Sequence, residues 1–187
     1  MSSMRYLVIL FFCCSLCSCG DDLVVKPSAK LSLEYPKATY QRIKTECPYT
    51  FLKNESAKLV EKKGCGMNLR YPNMKATIYL TYQKIRYQNL DSLLYDAQKL
   101  TYDHTIKAQS ILEQPRVDSI NKVFGMLYMI DGNAATQSQF YVTDSINHFI
   151  TGSVYFEAKP NFDSIYPAVV YLREDVRSIM ETIEWKN

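Results

Sequence analysis

Apolar residues along this chain change their spacing repeatedly, and each change marks an element. Leu31-Ser-Leu-Glu-Tyr35 alternates and stops at Pro36, the pattern of a short edge strand. Tyr49–Leu52 and Met67–Tyr71 alternate more weakly, and Lys62-Lys63-Gly64 between them predicts a hairpin. Lys75–Ile85 is the first strong strand: it is β-branched and aromatic, with Ile78, Leu80 and Tyr82 on one face. At Asn89 the period becomes helical. Leu90, Leu93, Leu94, Ala97, Leu100, Thr101, His104 and Ala108 share one broad face. Asn89 suits the N-cap and Asp91 the first turn, so the spacing predicts an amphipathic helix over Asn89–Lys107.

The strand period then returns. Val117–Ile130 holds a nearly continuous apolar run, as expected of a central strand, and Asp131-Gly132-Asn133 reads as a tight turn. Gln137–Asp144 and His148–Glu157 are further strands, separated by Ser145-Ile146-Asn147. A last helix is expected from about Ser164 to near Trp185, with Pro167 in its first turn. Short turns demand antiparallel pairing, so the order predicts an α+β fold. It is an antiparallel meander, with two main helices covering one face or packed at the sheet edges. By analogy this layout resembles the PsbP/Mog1-like sandwich, and such an analogy carries no chemistry.

The amino terminus breaks the pattern. Arg5 precedes the apolar run Tyr6–Phe12, and small residues lead to Leu16-Cys17-Ser18-Cys19 before polar Gly20-Asp21-Asp22. This reads as an export signal. The cysteine after the cut resembles a bacterial lipobox, in which the signal is removed and that cysteine takes lipid. Cys19 is the expected acceptor, since Ser18 precedes it while bulky Leu16 precedes Cys17. The apolar stretch Tyr6–Cys19 is 14 residues long, against the ~20 that a spanning helix needs. Residues 1–18 are therefore the expected lipoprotein signal, 19–30 a polar tether and 31–187 one domain held to a membrane outside the cytoplasm.

Removing residues 1–18 from 187 leaves 169, enough for one real core. The loss of Arg5 lowers the formal charge from +3 to +2, and no basic stripe marks a nucleic-acid partner. Cys13, Cys14 and Cys17 leave with the signal, so the domain keeps Cys47 and Cys65. In an exported chain these form a disulfide or remain two separate buried thiols. Two cysteines without a nearby histidine do not fill a tetrahedral metal site.

No catalytic constellation stands out. His104 falls on the apolar helix face as a satisfied, half-buried side chain, and His148 opens a strand as a surface residue. No nucleophile elbow, phosphate loop or cofactor motif is present. Glu174 and Asp175 read as the polar face of the last helix. The chain is thus expected to be neither an enzyme nor a cofactor protein.

Several segments carry a resemblance over most of the chain, from about Leu33 to Trp185. They include Lys75-Ala-Thr-Ile78, Leu100-Thr-Tyr-Asp-His-Thr-Ile-Lys-Ala108 and Tyr128-Met-Ile-Asp-Gly-Asn-Ala-Ala135. Gln139-Phe-Tyr-Val-Thr-Asp-Ser145, His148-Phe149, Gly152 to Phe156, Pro160-Asn161 and Glu174-Asp175 continue the set. Together they resemble the gliding-motility lipoprotein GldD family, and the lipobox cysteine and the Cys47/Cys65 pair fit it. The resemblance implies a cell-envelope lipoprotein of Bacteroidetes, needed for gliding and associated with type IX secretion, whose partners are other envelope proteins. It supplies no catalytic residues. The alternative is an envelope module that takes a glycan or small ligand between sheet and helix. Asp-Ser followed by Leu or Ile recurs at Ser92, Ser119, Ser145 and Ser164, always at an expected element boundary. Turn and cap chemistry explains the motif, and it also resembles the O-glycosylation acceptor of periplasmic proteins in that phylum.

Overall fold

The computed structural model describes residues 34–87, 89–103, 107–157 and 161–186. Its centre is a seven-stranded antiparallel sheet in the order β4-β5-β6-β10-β9-β8-β7. The strands are β4 (Lys58–Glu61), β5 (Met67–Tyr71), β6 (Ala76–Lys84), β7 (Ala108–Asp118), β8 (Val123–Gly132), β9 (Ser138–Thr143) and β10 (His148–Phe156). β6 and β10 pair along their whole length, from His148 opposite Lys84 to Phe156 opposite Ala76. Helix α1 (Leu90–Asp103) connects β6 to β7, and α2 (Phe162–Thr182) follows β10. Two small sheets complete the fold: β1 (Tyr40–Arg42) with β3 (Leu52–Asn54), and β2 (Tyr49–Thr50) with the terminal β11 (Glu184–Trp185).

Period-2 alternation gives the sheet two apolar faces. Val142, Ile150, Phe140, Leu127, Ile78 and Leu80 point to one side, where they bury Leu172, Val176, Ile179 and Met180 of α2. Their sequence neighbours Tyr141 and Phe149 point to the other side, where they meet Leu93 and Ala97 of α1. The helices therefore lie on opposite faces, not on one face or at the edges. The β6-to-β7 connection, which carries α1, travels from the middle of the sheet to its edge across the face that bears Tyr141 and Phe149. Gly152 makes the close approach possible, because a Cβ there would stand 2.1 Å from Cε1 of Phe140 in the neighbouring strand.

The strong strand around Lys75–Ile85 and the turn at Ser145-Ile146-Asn147 lie where the pattern put them. A hairpin does turn at Lys62-Lys63-Gly64, but the arm paired with Met67–Tyr71 is Lys58–Glu61, while Tyr49–Leu52 is divided between the two small sheets. Other boundaries moved. Leu31–Leu33 fall outside the described residues, and Glu34 and Tyr35 are irregular, with the Tyr35 ring packed 5.4 Å from that of Tyr171. The first helix is described over Leu90–Asp103; residues 104–106 lie outside the described residues, and Lys107 is no longer α-helical. β7 was not expected as a strand: Gln109-Ser-Ile-Leu-Glu-Gln-Pro115 lacks clean alternation because it is an edge, largely exposed and interrupted by proline. The run Val117–Ile130 is accordingly two strands folded back at Ser119–Lys122. α2 begins at Phe162, whose backbone N–H donates to Asn133 Oδ1 at 2.9 Å. Pro167 is thus the sixth helical residue, beyond the first turn, and leaves the Asp163 carbonyl without its usual helical donor. Trp185 belongs to β11, not to the helix.

Candidate functional site

The first site is built by two turns with the same four residues. Asp118-Ser-Ile-Asn121 joins β7 to β8, and Asp144-Ser-Ile-Asn147 joins β9 to β10. The β8–β9 register sets Phe124 opposite Thr143, so both turns emerge side by side at one end of the sheet. Each aspartate closes its own turn. Asp118 Oδ1 accepts from the N–H groups of Ile120 (3.2 Å) and Asn121 (3.0 Å). Asp144 Oδ1 accepts from Ile146 (3.0 Å), Asn147 (2.8 Å) and His148 (2.8 Å). Burial pushes the Asp144 carboxyl up, but the turn N–H donors and the neighbouring His148 outweigh it and hold its pKa below the ordinary value. With the backbone spent on the aspartates, the isoleucine side chains point outward: Ile120 is 92% exposed and Ile146 64%.

Between the turns lies a hollow of about 430 Å³, lined also by Asn121, Asn147, His148 and Trp185. His148 is not the surface residue its position suggested. Its ring stacks on Trp185 at 5.1 Å and 12°, and Nδ1 shares a hydrogen bond with Tyr82 Oη at 2.9 Å. Trp185 Nε1 donates to the Lys122 carbonyl at 2.9 Å, and β11 holds Trp185 opposite Tyr49. Behind Tyr49, Cys47 and Cys65 are joined by a disulfide with Cα atoms 5.5 Å apart, and Tyr49 Oη donates to the Cys65 carbonyl at 2.7 Å. The bridge thereby ties the strand that carries the Trp185 wall to the β4–β5 turn.

The second site is a buried carboxylate on the opposite side of the core. Asp175 is 2% exposed, and only Glu174, paired with Arg177 at 2.9 Å, occupies the polar helix face expected of both. Asp175 sits three residues after Leu172 and four before Ile179, on the buried stripe of α2, and that spacing was the overlooked signal. Tyr40 Oη donates to it at 2.7 Å, and Asn54 Nδ2 reaches both carboxylate oxygens at 3.0 and 2.9 Å. The buried Tyr71 hydroxyl lies beside the same group. Burial raises the Asp175 pKa, and the donors from Tyr40 and Asn54, with the Tyr71 hydroxyl nearby, only partly offset it. In turn, burial first and the carboxylate second push the Tyr40 and Tyr71 hydroxyls far above their usual range. Every donor here comes from the protein, so the carboxylate is a structural tie between α2 and the β1–β3 hairpin. An open groove of about 390 Å³ runs beside it, walled by Tyr35, Tyr40, Tyr171 and Val170.

Ser92, Ser119, Ser145 and Ser164 are all exposed, two in helix first turns and two in the paired hairpin turns. Cys19 and His104 lie outside the described residues. Among the described residues no group of three or more His, Cys, Asp or Glu side chains could hold a metal, and no helix is long and apolar enough to cross a membrane.

These features define a mixed α+β domain whose polar side chains close turns and tie elements together, with its open hollow at one tip of the sheet. The family model for the gliding motility lipoprotein GldD matches residues 20–185, and the chain belongs to that family. No curated protein matches it.

Proposed function

We propose that the protein is a lipid-anchored component of the cell envelope, outside the cytoplasm, that serves gliding motility and type IX secretion by docking to other envelope proteins and not by catalysis. The family match carries this reading. It starts at Gly20, directly after the cysteine that follows the short apolar leader, and runs through the whole described fold. In the native host, deletion should abolish both spreading and secretion of type IX cargo. Wild type should restore both, and a Cys19→Ala complement should not. Normal spreading and secretion in the deletion strain would reject the reading.

The 430 Å³ hollow favours a second reading, an envelope module that binds a glycan or small ligand. A thermal-shift screen against envelope glycans with no stabilising hit would remove it. The four exposed Asp-Ser-apolar serines are open to an O-linked sugar, and an intact mass no greater than peptide plus lipid would exclude one.

A further inference from the structure

We propose that the end of the sheet carrying the two Asp-Ser-Ile-Asn turns is a membrane-docking tip: Ile120, Ile146 and Tyr87 enter the headgroup boundary of a phospholipid bilayer. Tyr87 joins the turns because β6 ends beside β10, with Lys84 opposite His148 and the Ile85 N–H donating to the Asn147 carbonyl at 2.8 Å. The chain after β6 therefore leaves the sheet next to the second turn, and Tyr87 is 99% exposed. A single exposed apolar residue needs no explanation, but three on neighbouring loop tips of one sheet end do.

Lys84, Arg86 and Lys122 stand at this end of the sheet with Asp118, Asp144 and Glu184, so the formal charges balance and the docking rests on the apolar side chains. Trp185 flanks the hollow, a residue type that settles at membrane–water boundaries.

The proposal rests on the anchored-lipoprotein reading for its supply of bilayer. Glu34 lies fifteen positions after Cys19, a reach of at most ~50 Å, whereas nine-residue β6 is only about 30 Å long. The anchor therefore leaves the tip free to face the same membrane.

Trp185 is the sole tryptophan and serves as the reporter. The native protein, purified from membranes, is reconstituted into phosphatylethanolamine–phosphatidylglycerol vesicles with brominated acyl chains. Flotation reports the anchor, and Trp185 quenching reports the tip. Wild type should float and be quenched, most strongly by bromines near the headgroup end of the chain, at the ~5–10 Å depth of an interfacial insertion. The Ile120→Asp/Ile146→Asp variant should float and melt like wild type but lose the quenching, each substitution weakening tip engagement by roughly tenfold or more. Floating protein with an unquenched Trp185, or quenching unchanged in the variant, overturns the docking tip while leaving the anchor intact. Protein that fails to float overturns both. A sugar mapped to Ser119 or Ser145 would hold the prongs off the bilayer and also overturns the proposal.

Discussion

Removing the Tyr40 hydroxyl tests whether the buried carboxylate of Asp175, and not apolar contact alone, ties the β1–β3 hairpin to α2. The Tyr40 Oη to Asp175 Oδ1 bond is 2.7 Å long, and its acceptor is 2% exposed. A hydrogen bond to a charged partner contributes about 1.5–3 kcal/mol, against about 0.5–1.5 kcal/mol for a neutral one. Because Tyr40 itself is only half-buried, Tyr40→Phe should cost about 1.5 kcal/mol while Asp175 is ionised and about half that once it is protonated. The folded-state pKa of Asp175 is raised by burial. The folded protein therefore holds that proton more tightly than the unfolded chain, and stability falls as pH rises from the unfolded value of about 3.9 through the folded one. Phenylalanine removes a donor that lowers this pKa, so the variant should lose more at pH 8 than at pH 4. Urea denaturation at both pH values reads the effect. With a slope near 2 kcal/mol/M, the midpoint should drop by about 0.7 M at pH 8 and visibly less at pH 4. An equal loss at both, or a larger one at pH 4, would refute the assignment of a buried, ionising tie.

Two further outcomes follow from the packing. Gly152→Ala drives a Cβ into the Phe140 ring, which is 1% exposed and has nowhere to move; it should cost about 1–3 kcal/mol and lower Tm by about 3–8 °C. Adding Phe140→Leu should restore part of the loss, and a single variant that melts like wild type would contradict the close approach. Replacing Cys47 and Cys65 by serine opens a loop of sequence separation 18 and should cost about 3 kcal/mol. Since β2 carries the Trp185 strand, Trp185 emission should also shift to the red, and an unchanged melt and spectrum would sink the linkage.

Local chemistry marked what it could reach. The β-branched run of β6, the second Asp-Ser-Ile-Asn turn and the apolar stripe of α2 were legible because alternation, turn residues and helical spacing are properties of adjacent positions, whereas the first such turn was hidden inside the apolar run Val117–Ile130. The α+β class followed from their order, and the family from the ordered set of segments. β7 escaped because an edge strand needs to satisfy only one neighbour and bury little, so selection writes no clean alternation into it.

What the tertiary structure decided depends on distant residues meeting. That α1 and α2 take opposite faces shows only when the strands are paired and each of the two apolar faces finds its helix, which no local period records. Asp175 looks like half of a polar pair until β1 and β3 bring Tyr40 and Asn54 onto it. His148 looks exposed until the C-terminus folds back and lays Trp185 against it. The two identical turns, 26 positions apart in sequence, become one tip only because antiparallel pairing of β8 with β9 returns the chain to the same end of the sheet. Sequence determines spacing and turn chemistry through neighbouring atoms. Register and burial set which side chains share a surface, and they exist only once the sheet is assembled.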